Sequence, residues 1–499
     1  MRARIFMSGL VVASMLSAQG EAPKEGAKAP AAAATRPAAE QPVAEKKAGP
    51  RWVAIKDATL HTVSHGVITG GTLLIKDKLI HAVGTDVTIP EGAEIIDGRG
   101  KHVAPGFVAI AAKGALGLRN STNKEKAEHR FDPFADFMQL ALANGVTTAH
   151  ESGGMADSMF GGLFGSVGSA FIGSHTGQVG GVVGKLTAGT IEGFTLREPA
   201  AFYMNAPGGQ GGSARLEQRD VFEKAKKHRA AVKTWLKDLA AGKKDLTEPK
   251  TDDNVSALAD AMNGDVPVFY YADNRRDMEF GLELAQEFGV PVILHTAQEA
   301  WAMAADVSRS AAGVILLPRG KGGSATRPYT DPNVDAPHGW RIESASIMQK
   351  TGVPWSTMTL NTGITTSLFG GRDLLGLNLE AAFAVRGGVS NEEALRSITL
   401  TPAEMLRVAD RIGSLDKGKD ADILILDREP LDYRTFVERA FVNGRVAYDE
   451  SVTPLYAHIQ TDRRQPPKNW KPWGIWGELP EQKNPAPLPD GSAAPAPAK

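Results

Sequence analysis

The chain has 499 residues, of which 42% are hydrophobic, so it holds enough apolar material for a large folded core. Its 56 lysines and arginines balance 57 aspartates and glutamates, which gives a formal net charge of -1 at pH 7. Because the two signs are mixed along the chain, its overall charge predicts neither a nucleic acid nor an anionic membrane as partner. The absence of cysteine excludes disulfides and a thiol nucleophile.

The first twenty residues, MRARIFMSGLVVASMLSAQG, place arginines, an apolar run and small residues in the order typical of a secretory signal peptide. The apolar run is shorter than the roughly 20 residues that a membrane-spanning helix needs, and no other stretch is long enough. We therefore predict a signal peptide over residues 1–20, no membrane span, and export to the periplasm or the extracellular space. Residues 21–50, rich in proline and alanine, are predicted to be a disordered linker.

Short stretches of alternating apolar and polar residues begin at Arg51, as in RWVAIKDATLHTV and GGTLLIKDKLIHAVG. Similar stretches return near the other end of the chain, in KDADILILDREP and in FVERAFVNGRVAYD, which contains an Asn-Gly turn. We predict that residues 51–104 and 413–455 form one composite small β-sandwich domain.

Apolar strands alternate with amphipathic helices between these two segments, over residues 105–412. FDPFADFMQLALANG predicts a helix capped by Asp132 with Pro133 at its first position, and the strand VTTAHES follows. This alternation predicts an α/β fold, a (β/α)8 TIM-like barrel. A doubly wound open sheet is the alternative, but no Gly-x-Gly-x-x-Gly turn follows the first strand.

Two further segments lie outside this repeating pattern. RLEQRDVFEKAKKHRAAVKTWLKDLAAGKKDL is helix-rich and charged, which suits a lid or a contact with a partner. Residues 456–499 form a tail rich in tryptophan and proline, and Trp470, Trp473 and Trp476 are predicted to pack back on the domain or to bind a partner.

Three stretches carry a resemblance to a known family. GGTLLIKDKLIHAVGTDVTIPEGAEIIDGRGKHVAPGF resembles the N-terminal β-domain and first barrel strand of the amidohydrolase superfamily, in particular of imidazolonepropionase-like and related secreted members. GVSNEEALRSITLTPAEMLRVADRIGSLDKGKDADILILDREPL is similar to the family's last helices, and VERAFVNGRVAYD to its closing hairpin. The resemblance covers nearly all of residues 51–455 and implies the barrel fold.

The metal-binding motif of that family is largely missing here. The family's first strand ends in Pro-Gly-Phe-(Ile/Val)-Asp-x-His-x-His, whose histidines bind a divalent metal. Ala109 stands at the aspartate position, while Ala111 and Lys113 stand at the two histidine positions. A methyl group cannot coordinate a metal, and the ammonium of Lys113 would repel a cation.

Later strands depart from the family in the same direction. Tyr271 or Asp273 takes the place of the strand-five histidine, and Asn361 takes that of the strand-eight aspartate. Asparagine cannot act as a general base. His295, which matches the strand-six histidine, is the remnant of the family's ligand set.

Other residues could rebuild a metal site. His150, Glu151 and His175 could join His295 in a His/Glu/His site for a divalent metal such as zinc, since strand ends converge at one face of a barrel. Neighbours on a strand point to opposite faces, however, so His150 and Glu151 cannot both face the axis without a bulge.

A metal-free set is the other candidate pocket. Lys113, Tyr271, Asp273 and Asn361 lie near the former metal position in the family pattern. Lys113, Tyr271 and Asp273 could form a tuned acid and base set, or Lys113 and Asp273 could make a structural ion pair that fills the empty site.

The sequence leaves the question of catalysis open between hypotheses of different classes. The first is an exported amidohydrolase-superfamily protein, non-catalytic or strongly altered, that binds a small-molecule ligand or a catalytic amidohydrolase relative. The alternative is an active hydrolase of C–N bonds, such as those of cyclic amides, with a remodelled site. A purely structural envelope protein is the third. No cofactor is expected except zinc in a remodelled site, no nucleic acid is expected, and a homo- or hetero-oligomer is compatible with all three.

Overall fold

The computed structural model describes residues 49–112, 115–118, 125–152, 176–208, 212–319, 339–359 and 376–453. The predicted signal peptide, nearly all of the linker and the C-terminal tail lie outside these ranges. Among the helices within them, none has the length and apolarity needed to cross a membrane.

Strands dominate both ends of the described chain, and helices alternate with strands in the middle. The strands are β1 (Trp52–His61), β2 (Val67–Lys76), β3 (Leu79–Gly84), β4 (Glu94–Asp97), β5 (His102–Pro105), β6 (Phe107–Ala109), β7 (Val146–Glu151), β8 (Gln178–Gly180), β9 (Val182–Lys185), β10 (Thr195–Arg197), β11 (Ala201–Asn205), β12 (Val268–Tyr271), β13 (Val292–His295), β14 (Ala311–Leu316), β15 (Trp355–Thr357), β16 (Ile423–Leu426), β17 (Val437–Val442) and β18 (Arg445–Asp449). The α-helices are α1 (Ala127–Arg130), α2 (Asp136–Ala143), α3 (Gly212–Ala240), α4 (Asp253–Met262), α5 (Arg275–Phe288), α6 (Ala304–Ser310), α7 (Ser344–Lys350), α8 (Leu377–Arg386), α9 (Asn391–Arg396) and α10 (Leu400–Met405).

One sheet unites the two ends of the described chain. Its strand order is β18-β17-β16-β5-β1-β2-β3, with β4 added in parallel along β1. β5 and β16 join the two segments by antiparallel pairing, which sets His102 opposite Leu426. The buried face of this sheet packs aliphatic side chains from both segments, among them Ile55, Leu73 and Ile423. The composite character of this part of the fold therefore rests on hydrogen bonds as well as on apolar packing.

The second body is a barrel, and within the described ranges its wall has eight strand positions, which are called staves here. In order they are β6, β7, the bent strand β9 with β8, and then β11, β12, β13, β14 and β15. The first two staves are parallel, and so are the last five. The ring closes through a loop, because Val108 N donates to Ile398 O at 2.8 Å and Thr357 N donates to Ser397 O at 3.3 Å. The α/β barrel predicted from the alternating pattern is thus present.

The third stave runs against the all-parallel order of that prediction. β9 is antiparallel to β7, and β8 is antiparallel to β11, so one bent segment bridges the two parts of the wall. The bend lies at Gly181, whose φ is 73°. A Cβ there would lie 2.3 Å from the hydroxyl oxygen of Tyr203 and 2.7 Å from Glu151 O. The positive φ and the lack of room for a Cβ therefore both require glycine.

The helix start predicted at Asp132 is wrong, because α2 begins only at Asp136. The Asp132 carboxylate accepts a hydrogen bond from Phe134 N at 3.1 Å, and its carbonyl accepts one from Ala135 N. These bonds form a turn ahead of the helix, which leaves Phe134 exposed rather than on the apolar face. The charged insertion does form a helix, α3.

A buried ion cluster fixes the barrel to the composite sheet. Lys185, the last residue of β9, is fully buried, and its Nζ lies 2.6 Å from Asp420 and 2.8 Å from Asp422. Nζ also donates to Oδ1 of Asn443 at 2.7 Å. Arg411 also pairs with Asp420, at 2.6 Å, so two cations and two carboxylates make each buried charge dependent on the others.

Candidate functional site

The interior of the barrel is lined by alternate residues of its staves. Tyr203 on β11, Phe269 on β12 and Ile293 on β13 stand in register and belong to one buried apolar cluster. Because side chains alternate across a strand, the residues two positions further on form the next layer toward the carboxyl ends of the staves. Tyr271 and His295 occupy that layer in register with each other.

His150 is the central polar group of this interior. It lies on β7, is fully buried, and stacks on Phe269 with a centroid separation of 5.2 Å. Its Nδ1 is 2.5 Å from the carbonyl oxygen of Ile110, and its Nε2 is 2.6 Å from the hydroxyl of Tyr203. A carbonyl oxygen can only accept, so Nδ1 carries the hydrogen and the Tyr203 hydroxyl donates to Nε2.

Burial determines the protonation of this pair. Loss of hydration lowers the pKa of His150 to about 4, although the Ile110 carbonyl favours the protonated ring. Burial likewise raises the pKa of the Tyr203 phenol above its ordinary value. At neutral pH the pair is therefore an uncharged imidazole with an uncharged phenol donating to it.

A second aromatic pair lies beside the first. His295 ends β13, is fully buried, and stacks on Tyr271 with a centroid separation of 5.3 Å. Burial first, and the nearby His150 second, lower the pKa of His295 to about 3. Burial and the neighbouring Asp273 raise the pKa of Tyr271. This end of the barrel is thus filled by rings that are neutral at pH 7.

Glu151, which follows His150 directly, contacts the segment around Leu116. Its carboxylate accepts a hydrogen bond from Leu116 N at 2.8 Å, near the segment that follows the first stave. The predicted site residues Lys113, His175 and Asn361 lie outside the described residues.

Tyr203 and Phe269 were not among the predicted site residues. The alternation in AFYMN indicates that Tyr203 and Phe202 point to opposite faces, and Phe202 belongs to the core between barrel and helices. What a single strand could not indicate is that Tyr203 meets His150, because β7 and β11 are separated by the reversed third stave.

Comparison with known proteins agrees with the fold and with the earlier resemblance. A family model described as "Amidohydrolase family" matches residues 358–453. The chain is 24% identical over 430 residues to an imidazolonepropionase of Mesorhizobium japonicum, an alignment that covers 79% of this chain and 92% of that protein. These matches bear out the resemblance to the amidohydrolase superfamily.

Two other matches show how much of each chain the similarity covers. Amidohydrolase tasK of Hapsidospora irregularis is 22% identical over 434 residues, which cover 79% of this chain. The alignment spans only 41% of the length of tasK. The crystal structure of an amidohydrolase from Thermotoga maritima superposes with a TM-score of 0.57 at 22% identity, covering 80% of this chain and 100% of that one, and so shares its fold.

The resemblance to the amidohydrolase superfamily implies a divalent metal at the carboxyl ends of the barrel strands, and the described donors do not fit one. Ala109 and Ala111 carry no donor atom on the first stave. The backbone carbonyl of Ile110, between them, instead holds the ring of His150, whose other nitrogen accepts from Tyr203. Across the described ranges, no group of three or more histidine, aspartate or glutamate side chains could hold a metal ion.

Proposed function

We propose that this protein is an amidohydrolase-superfamily member that has lost metal-dependent hydrolysis and acts by binding. Its ligand is a small molecule at the carboxyl ends of the barrel strands or a catalytic relative. The barrel core is built independently of the strand-end loops, so the fold can outlast the loss of its metal ligands.

The observation that carries this proposal is the pair of hydrogen bonds at His150. An imidazole ligates a metal through a nitrogen lone pair, and the one lone pair of neutral His150, on Nε2, accepts the Tyr203 hydroxyl hydrogen. Metal activation of water requires about three protein ligands and an open position. The hydrogen bond to Nε2 therefore supports the proposal, because it engages the lone pair with which His150 would join a rebuilt metal site.

The same pair of residues favours one alternative, an active hydrolase of C–N bonds without the superfamily's metal. A phenol that donates to a buried imidazole is placed as a general acid and base pair. In such an enzyme water would form the new C–O bond as the C–N bond breaks, Tyr203 would protonate the leaving nitrogen, and the attacking water would return its proton to the Tyr203 oxygen, which His150 positions. Burial raises the pKa of Tyr203, so its phenol is protonated at neutral pH.

Metal content of the purified protein separates these functions. Elemental mass spectrometry of the wild type and of His295→Ala should find far less than about one divalent ion per chain in both. A stoichiometric metal in the wild type that disappears in His295→Ala would overturn the proposal. The alternative is tested by turnover of cyclic amides and acyl dipeptides, with Tyr203→Phe as the inactivating variant.

We further propose that the protein works outside the cytoplasm. The arrangement of residues 1–20 supports this location. Cell fractionation should place the protein, shortened at its N-terminus, in the periplasm or the medium. Recovery of the full-length chain in the cytoplasm would contradict export and leave the binding function untouched.

A further inference from the structure

The C-terminal half of α3 projects from the body of the protein. The buried residues of this 29-residue helix are Ala214, Gln218, Phe222 and Ala225, all in its first half. Between Ala230 and Ala240 every residue is half-buried or exposed. α3 packs against α4 and α5, and its fully buried residues lie in its first half, so the half that follows is the more exposed one.

An apolar row follows one side of this projecting half. Val232, Trp235, Leu236 and Leu239 are spaced by three and four residues, which brings them to the same side of a helix. Leu236 is 52% exposed and Leu239 is 51% exposed, while Val232 and Trp235 are half-buried. Two large leucines side by side in water form a surface that gains free energy when it is covered, and the tryptophan beside them has its indole Nε1 buried.

Positive charge surrounds this row. Residues 226–244 contain seven lysines and arginines and a single acidic residue, Asp238, in a chain whose net charge is -1. Asp238 neutralises Lys243, with which it pairs at 2.7 Å. The cations are Lys226, Lys227, Arg229, Lys233, Lys237, Lys243 and Lys244.

We propose that the projecting half of α3 binds the surface of an anionic lipid bilayer. Leucines and a tryptophan on one side of a helix, with lysines beside them, are the composition of helices that lie in the headgroup region. Lys233 and Lys237 lie one helical turn apart beside Leu236, so their stems can lie along the apolar layer while their ammonium groups reach lipid phosphates. Each lysine near an anionic surface adds attraction that salt screens.

Charge decides between a bilayer and a second copy of this chain. Two copies packed through this row would bring two sets of cations together, with one acidic residue on each side to offset them. The apolar row also offers two exposed leucines, whereas a stable interface between proteins generally buries above about 1,000 Å². An anionic bilayer complements the charge and needs only a shallow apolar contact.

Vesicle co-sedimentation of the full chain tests this proposal. The protein should sediment with vesicles that contain phosphatidylglycerol, less so as salt is raised, and much less with phosphatidylcholine alone. The double variant Leu236→Glu/Leu239→Glu should lose about tenfold or more in vesicle affinity, because it removes the apolar contact and adds negative charge. Leu216→Glu is the matched control, since Leu216 is 69% exposed on the same helix and outside the row.

All variants share the same N-terminal apolar segment, so differences between them report on α3. Lys233→Glu/Lys237→Glu, which changes exposed residues and leaves the packed half of the helix intact, should reduce binding as strongly. Equal binding of these variants and the wild type, or equal binding to neutral and anionic vesicles, would overturn the proposal. So would a dimer in light scattering that Leu239→Glu dissociates, because the row would then be covered by a second copy.

Discussion

The hydroxyl of Tyr203 donates to Nε2 of His150 over 2.6 Å in the sealed interior of the barrel, and so joins the second stave to the fourth across the reversed third stave. The same imidazole is held by the backbone of the first stave through Ile110. Three segments that are distant in sequence thus meet at one ring.

Removing this hydroxyl should destabilise the fold. Tyr203→Phe leaves Nε2 of the buried His150 without its donor, so we expect the free energy of unfolding to fall by about 1–3 kcal/mol in urea denaturation. Tyr433→Phe is the control, because Tyr433 is 80% exposed and its change should be negligible. If the two variants unfold alike, the bond contributes nothing in solution.

Acid should destabilise the protein through its buried histidines. Folding lowers the pKa of His150 to about 4, that of His295 to about 3, and that of His61 to about 4. The unfolded chain binds protons below about pH 6.5 that the folded chain refuses, so stability is complete above that pH and declines as the pH falls toward 4.

Each of these groups should contribute a slope of about 1.4 kcal/mol per pH unit within that window. His150→Gln, which cannot take up a proton, should show a smaller pH slope in urea unfolding measured from pH 7 to pH 4.5. His129→Gln, which changes an exposed ring, is the matched control. Parallel pH slopes for wild type and His150→Gln would contradict the neutral, buried state of His150.

Breaking the ion cluster between barrel and sheet should cost more than removing any exposed pair. Lys185→Met removes the cation that pairs with buried Asp422, while Asp420 keeps its pair with Arg411, so we expect a loss of about 3–5 kcal/mol in the free energy of unfolding. Adding Asp422→Asn should recover part of that loss. Lys224→Met removes an exposed pair with Asp220 and should change little. A Lys185→Met protein as stable as the wild type would show that the cluster contributes nothing.

The hairpin between β17 and β18 should depend on its glycine for two separate reasons. Gly444 has a φ of 71°, and a Cβ there would lie 2.1 Å from Asp77 O, a backbone atom. Gly242 has a φ of 75°, but a Cβ there would meet nothing within 4 Å. Gly242→Ala should therefore cost about 1 kcal/mol, and Gly444→Ala at least about twice that. Equal losses in thermal unfolding would mean that the turn moves away from Asp77 freely.

Much of the fold could be predicted, because the spacing of apolar residues and the residues that begin and end helices and strands are local signals. VPVILHT and RDMEFGLELAQEFG reappear as β13 and α5, and the Asn274 side chain caps the helix by accepting from Asp277 N. The start of α2 could not be predicted in the same way, since an aspartate before a proline serves equally well in a turn. The reversed third stave could not be predicted, because it follows a glycine-rich stretch in which apolar residues have no regular spacing.

The candidate site could likewise be predicted only in part. Replacement of the metal-binding histidines by Ala111 and Lys113 is visible in the sequence alone. The partner of His150 is not visible in the sequence. Its identification requires the relative placement of β7 and β11, which are about 50 residues apart and not adjacent in the barrel. Sequence reasoning therefore indicated which of the family's ligand positions carry other residues, and the structure identified what holds the imidazole of His150.

The pairing of β5 with β16 has a consequence for synthesis of the chain. His102 leaves the ribosome more than 300 residues before its partner Leu426. At a synthesis rate of about 5–20 residues per second, about 15–65 seconds pass between the synthesis of β5 and that of the strand that covers its edge. During that interval a nascent chain displays an open strand edge, which is a hazard for aggregation, so the early segment of this protein should engage ribosome-associated or export chaperones until its C-terminal strands emerge.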